Sequence, residues 1–287
     1  MQVGVVYPQT ELRGDPEAVR RFGRAAEEMG YDYLIAYDHV VGASHDRIPQ
    51  LTGPYTEHDP FHDPFVLFAY LAGMTQRLQF ATGVLILPQR QTVLVAKQAA
   101  DLDLLSGGRL RLGVGTGWNY VEYDALGQDF ASRGARMDEQ VQYLRRLWTE
   151  PLFSFDGRFD QMEQGSILPR PTRTIPIWMG GFSDPAFRRA ARMGDGFMFA
   201  GSIEQGMVGI ERVRQFAAQY NRDLSDFGME LTAVRAKTPD QFASEVQAWE
   251  EVGGTHLTLS TLRKHFDSVE AHIDFMGAVQ ERLKSAK

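Results

Sequence analysis

The sequence predicts an α/β protein folded as one closed (β/α)8 barrel, and three observations carry that prediction. Strand-like and helix-like segments alternate eight times along 287 residues, with no stretch that looks like a linker. The length is close to the roughly 250 residues that such a barrel needs. The apolar share, 43%, is ordinary for a chain that buries one large core. Residues 1–287 are therefore read as a single domain.

Each element has a local reason. Val3 to Tyr7 is a short apolar strand. Asp15-Pro16 opens the first helix, because Asp accepts hydrogen bonds from free N–H groups and Pro suits the first turn. Val19, Phe22, Ala26 and Met29 recur at helical spacing, and Gly30 ends the run. Tyr31 to Tyr37 is the second strand. Asp38 to about Asp63 is irregular, and its aromatic residues Tyr55 and Phe61 favour an ordered, functional loop. Pro64 to Thr75 reads as a helix and Leu78 to Leu87 as a continuous apolar strand buried on both faces. Val93 to Leu105 is a helix, Leu110 to Val114 the fourth strand, and Gly134 to Trp148 its helix. Pro151 to Pro171 reads as an irregular excursion after that helix. Four more pairs follow: Ile175 to Met179 with Asp184 to Met193, Gly196 to Ala200 with Ile203 to Tyr220, Met229 to Val234 with Pro239 to Val252, and Thr255 to Ser260 with Val269 to Leu283.

Composition removes several function classes. A net charge of −7 with scattered basic residues argues against nucleic-acid and anionic-membrane surfaces. The absence of cysteine excludes disulfides, thiolate metal sites and cysteine nucleophiles, and fits a cytoplasmic setting. The N-terminus reads as a strand, not a signal peptide, and no apolar run approaches the ~20 residues of a membrane span. There is no Gly-x-Ser-x-Gly elbow and no P-loop.

A barrel presents its chemistry at the C-terminal ends of its strands. Those positions hold Asp38-His39, Thr82-Gly83-Val84, Gly115-Thr116-Gly117-Trp118-Asn119, Gly180-Gly181-Phe182-Ser183, Gly201-Ser202, Arg235 and Ser260-Thr261. The run Gly113-Val114-Gly115-Thr116-Gly117 is not a dinucleotide fingerprint, since Trp118 stands where the last glycine would be. Its three alternating glycines exceed what one turn needs and point to close approach of a ligand. Gly180-Gly181 leads into a helix whose free N–H groups suit a phosphate. Asp38 and His39 need not pair, because adjacent residues of an extended segment face opposite ways. His58 and His62 are four apart, but Pro60 interrupts any regular helix between them, so no metal site is expected. Glu122 and Asp124 are too close together to read as a carboxylate pair.

These residues together resemble the luciferase-like monooxygenase superfamily. The resemblance lies in Ala26-Glu27-Glu28-Met29-Gly30-Tyr31-Asp32, Tyr37-Asp38-His39 and Ala81-Thr82-Gly83-Val84. It continues through Lys97 to Arg109 with its Ser-Gly-Gly-Arg ending, Gly113 to Trp118, Pro176 to Gly181 and Arg192 to Gly196. The chain looks most similar to the coenzyme F420-dependent oxidoreductase branch. That resemblance implies a TIM barrel, usually dimeric, with a flavin or deazaflavin at the rim. It implies His39 and Asp38 near the ring, a non-prolyl cis peptide at Gly83-Val84, and Thr82 beside that bulge. It also implies Gly115, Thr116, Gly117 and Asn119 bordering the cofactor, and Gly180 and Gly181 at its phosphate. Sugar-phosphate dehydrogenases of this branch carry Glu directly after Gly-Thr-Gly; Trp118 at that place argues against their reaction. The expectation is a cytoplasmic, homodimeric oxidoreductase passing hydride between F420, or FMN, and a small organic substrate. His39 and Asp38 are its catalytic candidates, and Trp118, Phe61 and the 40–63 loop wall the pocket. The alternatives are an FMN-dependent monooxygenase served by a separate flavin reductase and O2, and a barrel that binds a ligand without catalysis.

Overall fold

A computed structural model describes residues 1–285. In chain order its strands are β1 (Gln2–Val6), β2 (Tyr33–Ala36), β3 (Gln79–Thr82), β4 (Leu85–Ile86), β5 (Leu110–Gly115), β6 (Phe153–Asp156), β7 (Gln161–Gly165), β8 (Ile177–Gly180), β9 (Gly196–Gly201), β10 (Gly228–Ala233) and β11 (His256–Leu259). The helices are α1 (Gln9–Leu12), α2 (Pro16–Glu28), α3 (Pro64–Ala72), α4 (Thr92–Ser106), α5 (Tyr120–Ala125), α6 (Arg133–Thr149), α7 (Asp184–Met193), α8 (Ile203–Gln219), α9 (Pro239–Glu251) and α10 (Val269–Ser285). Parallel pairings run from β1 through β2, β3, β5, β8, β9, β10 and β11 and back to β1, so the sheet closes. This is the predicted (β/α)8 barrel.

The caps act as read from the sequence. Asp15 accepts from the Glu17 N–H, Asp63 from the Phe65 and Val66 N–H groups, and Thr238 from the Gln241 N–H, each just before a Pro. Two expectations change. The third strand is not continuous: it breaks at Gly83-Val84, a cis peptide, into β3 and β4, both of which pair with β5. An unbroken apolar run hides such a break, because the residues on either side of Gly83-Val84 are buried in both halves. The 151–171 excursion is not wholly irregular either. It holds the antiparallel β6–β7 hairpin, whose Phe155 stacks on Tyr143 of α6 at 4.2 Å between ring centroids.

The barrel interior contains charge. Arg111 of β5 donates to Glu230 of β10 at 2.6 Å. Its guanidinium lies between the rings of Tyr33 and Trp178, 4.4 and 4.2 Å from their centroids. Thr258 donates to the other Glu230 oxygen at 2.5 Å and is itself 2.9 Å from the Tyr33 hydroxyl. Burial, with Arg111 and the N-terminus nearby, pushes the neighbouring His256 down to about 3, so it is neutral at ordinary pH.

Candidate active site

The site is assembled at the C-terminal rim from the ends of β2, β4 and β5. Asp38 and His39 leave β2 in opposite directions, as an extended backbone requires. Asp38 is buried. One of its oxygens accepts the Ile86 N–H at 2.9 Å and the other accepts Arg90 at 2.8 Å, while Arg90 also reaches Asp63 at 2.9 Å. Burial holds this carboxyl above its ordinary range, against the pull of Arg90 and the Ile86 N–H. Both its oxygens are thus spent on fixing the strand end behind the bulge.

His39 takes the other side. Its Nδ1 lies 3.2 and 3.3 Å from the two oxygens of Glu122, whose side chain is 1% exposed. Glu122 also accepts the Val40 and Val41 N–H groups at 2.8 and 3.2 Å and Gln89 at 3.3 Å. Burial would raise its pKa, but the His39, Val41 and Gln89 bonds outweigh burial and hold it below the usual value. An ionised carboxylate accepts only, so Nδ1 carries the proton and Nε2 is left as the ring's lone pair. Three aromatic rings enclose the imidazole: Phe61 at 4.9 Å, Tyr55 at 5.2 Å and Trp118 at 5.6 Å between centroids. Trp118 and Phe61, expected to wall the ligand pocket, here border a space of only about 70 Å³ around His39.

Glu122 was set aside in the sequence because it made no pair with Asp124. Its partner is 83 positions away. The signal that could have found it is local: Asn119, a good N-cap, stands three residues before it at the start of a short helix. Asn119 does cap α5, accepting the Val121 N–H at 3.0 Å, and it donates to the Val41 carbonyl at 3.2 Å. Tyr123 donates to the Thr116 carbonyl at 2.7 Å. The turn after β5 is therefore tied to the start of the 40–63 loop. The far end of that loop closes over it, since a side-chain carbon at Gly53 would lie 2.1 Å from the Trp118 ring. The histidines His58 and His62 do not join this cluster: His58 is exposed, and the His62 ring sits 6.5 Å from Tyr7.

The glycine-rich run has a packing cause beside the ligand approach expected of it. A carbon added at Gly113 would lie 2.0 Å from the Thr82 carbonyl, one at Gly115 2.4 Å from Val84, and one at Gly117 2.8 Å from Ile86. The glycines are where the broken third strand presses on β5. Gly180 likewise lies under Val84, at 2.6 Å. Thr82, expected to border a cofactor, is fully buried and its hydroxyl donates to the Gly113 carbonyl at 2.6 Å. It locks the bulge rather than facing a ligand. Gly181 lines a cavity of about 480 Å³ beside Phe182, Phe187 and Phe199, and Ser183 begins α7 without a side-chain cap. We expect Gly113→Ala to cost about 1–3 kcal/mol in urea unfolding, because the atom it meets is backbone and cannot rotate away. A loss below about 0.5 kcal/mol would contradict the packing account.

Beside the aromatic box opens a cavity of about 1090 Å³, with Tyr37, Tyr55, Val234, Ser260 and Phe266 in its wall. Tyr37, in its wall, and Val84 of the bulge both pack against the buried cluster of Tyr33, Ile35, Ala81, Trp178 and Met198.

Residues 1–284 match the family model of the luciferase-like monooxygenases. The chain belongs to that family. Membership makes it an enzyme of the oxidoreductase and monooxygenase class. It is 34% identical over 214 residues to a pyrimidine monooxygenase of Allorhizobium ampelinum, covering 70% of this chain and 55% of that one. It is 31% identical over 200 residues to an F420-dependent glucose-6-phosphate dehydrogenase of Amycolatopsis mediterranei, covering 68% and 56%. The chain thus spans little more than half the length of these two relatives. A monooxygenase from Streptomyces bottropensis shares the fold, with a TM-score of 0.82 at 19% identity over 100% of this chain and 99% of that one.

Proposed function

We propose that the protein passes hydride between coenzyme F420 and a small organic substrate, with His39 moving the accompanying proton and Glu122 orienting it. The observation that carries this reading is the His39–Glu122 contact inside the aromatic box, beside the Gly83-Val84 bulge. The residues fit such a cofactor: the rim cavity of about 1090 Å³ has room for a ring and a small substrate side by side, and Tyr37 and Tyr55 give it an aromatic wall on the side of His39. When bound, the deazaflavin would supply the hydride donor or acceptor.

The protein's own part is positional. Val84 and Tyr37 offer a flat apolar backing, Thr116, Gly117 and the Gly115 backbone border it, and the Gly180-Gly181 turn with the uncapped start of α7 offers N–H groups to a phosphate. Ionised Glu122 keeps the proton on Nδ1, so Nε2 is ready to accept one, and the resulting imidazolium is stabilised by the carboxylate. The 40–63 loop excludes water from the ring. Asp38 serves as a positioning residue through Ile86 and Arg90. The homodimer and cytoplasmic setting expected from the sequence go with this reading.

One observation favours a second reading: the identity to the pyrimidine monooxygenase, 34%, is no lower than that to the F420 enzyme, 31%. In that reading FMN replaces F420 and a reductase and O2 are needed. Titrating the apoprotein with both cofactors separates them. We expect F420 to bind about tenfold or more tighter than FMN, a difference of at least about 1.4 kcal/mol. The reverse order, with reductase-dependent O2 uptake, assigns the protein to the second reading.

A further inference from the structure

The 1090 Å³ cavity carries an electrostatic feature that hydride transfer alone does not require. Its wall includes Arg235 and Lys237 after β10, and Arg263, Lys264 and His265 after β11. No Asp, Glu, Asn or Gln lines it among the described residues. The chain as a whole carries 37 acidic and 30 basic residues, so this local excess runs against the overall balance. Among the described residues, none of the four Lys and Arg side chains lies within 4.0 Å of a carboxylate. Their contacts are with neutral groups: Arg263 donates to the Pro54 carbonyl at 2.8 Å and lies over Tyr55, and Lys264 donates to the Ala236 carbonyl and lies 4.9 Å from the Phe275 ring centre. Of the four, Lys264 is half-buried, and the other three are exposed around it.

The backbone holds this group in place. Arg263 and His265 both have left-handed φ values, 60° and 59°, which side-chain-bearing residues adopt at a cost and which cluster at ligand sites. Glu11 fixes the Arg263 N–H. Burial, opposed by Glu245 and helped by Lys237, lowers the Lys264 pKa, a state that an anion would relieve. The remaining wall is apolar or aromatic: Tyr37, Tyr55, Val234, Leu262, Phe266 and Phe275.

We infer that the cationic end of this cavity, formed by the segments after β10 and β11, is the substrate subsite of the proposed oxidoreductase, and that it takes an organic anion with an aromatic or aliphatic body. The cations hold the anionic head by charge-assisted hydrogen bonds. The aromatic wall holds the body. A polyol body is disfavoured, because its hydroxyls would need acceptors and the wall has no carboxylate or amide side chain to offer. The inference rests on the proposed function for its chemistry, but the binding it predicts is measured separately.

The test uses the full-length protein with its cofactor bound. Calorimetric titration compares 4-hydroxybenzoate, hexanoate and phenyl phosphate with methyl 4-hydroxybenzoate and glucose 6-phosphate. The expected result is that at least one of the three apolar anions binds about tenfold or more tightly than the neutral ester and than the sugar phosphate, and weakens as salt rises. Arg235→Gln with Lys237→Gln, both at exposed positions, should weaken that anion by about fivefold or more while leaving the cofactor Kd within about twofold. Whether a carboxylate or the phosphate is preferred identifies the head group. Equal binding of the ester and the anions overturns the inference, as does preference for glucose 6-phosphate. A loss of cofactor affinity in the double variant overturns it too, by assigning the cations to the cofactor. Failure of the protein to bind either F420 or FMN, by contrast, would defeat the proposed function and leave the anion comparison to be read on the apoprotein.

Discussion

Replacing His39 by Ala is expected to lower turnover by about 10²–10⁴-fold, the usual contribution of a positioned proton-transfer group. The imidazole sits inside the aromatic box, and its side chain is 11% exposed, so it is both accessible and held. Stability should change little, by about 1 kcal/mol, because Glu122 keeps its bonds to the Val40 and Val41 N–H groups and to Gln89. Cofactor affinity should stay within a few-fold. Glu122→Gln divides orientation from chemistry. The amide retains an acceptor for the Val40 N–H but no negative charge to stabilise an imidazolium, so kcat should fall while the cofactor Kd stays within a few-fold. If the His39→Ala enzyme, with cofactor bound, turns over within about threefold of the parent, His39 is removed from the mechanism.

The sequence made the barrel legible because strand and helix boundaries are written in short-range chemistry. Asp15-Pro16, Asp63-Pro64 and Thr238-Pro239 each supply an acceptor and a preset φ at a helix start, and each helix starts there. The aromatic wall was legible for a related reason: Phe61 and Trp118 fall in loops that the topology sends to one rim. Glu122 was not legible as the partner of His39: Asn119 marks the start of its helix, but the ring it holds comes from another strand end, 83 positions away. The glycine run was legible only in part. Glycine signals close approach, but the sequence does not say of what, and here the approaching groups are the Thr82 carbonyl, Val84 and Ile86. The break at Gly83-Val84 was legible only through the family resemblance, not through the apolar pattern that surrounds it.

The other large effect belongs to the barrel interior. Arg111→Met should destabilise the protein by about 3–5 kcal/mol, because it leaves Glu230 fully buried without its cation. Leu110 and Leu112 flank Arg111, so the strand itself tolerates an apolar side chain, and Met fits between the Tyr33 and Trp178 rings without a cavity the size of an alanine replacement. The loss should depend on pH, and its sign follows from Glu230. Burial raises the Glu230 pKa in the parent, and Arg111 opposes that rise. Without Arg111 the folded-state pKa climbs further above the unfolded value. The folded protein then binds more protons than the unfolded chain over a wider range, and stability falls as pH rises through that range. Urea midpoints should therefore differ from the parent more at about pH 8 than at about pH 5.5. The double variant Arg111→Met with Glu230→Leu should recover most of the loss, since it removes the stranded charge along with its former partner. A pH-independent loss, or no recovery in the double variant, would mean that the Arg111 stack on Tyr33 and Trp178, rather than its charge, is what the barrel interior depends on.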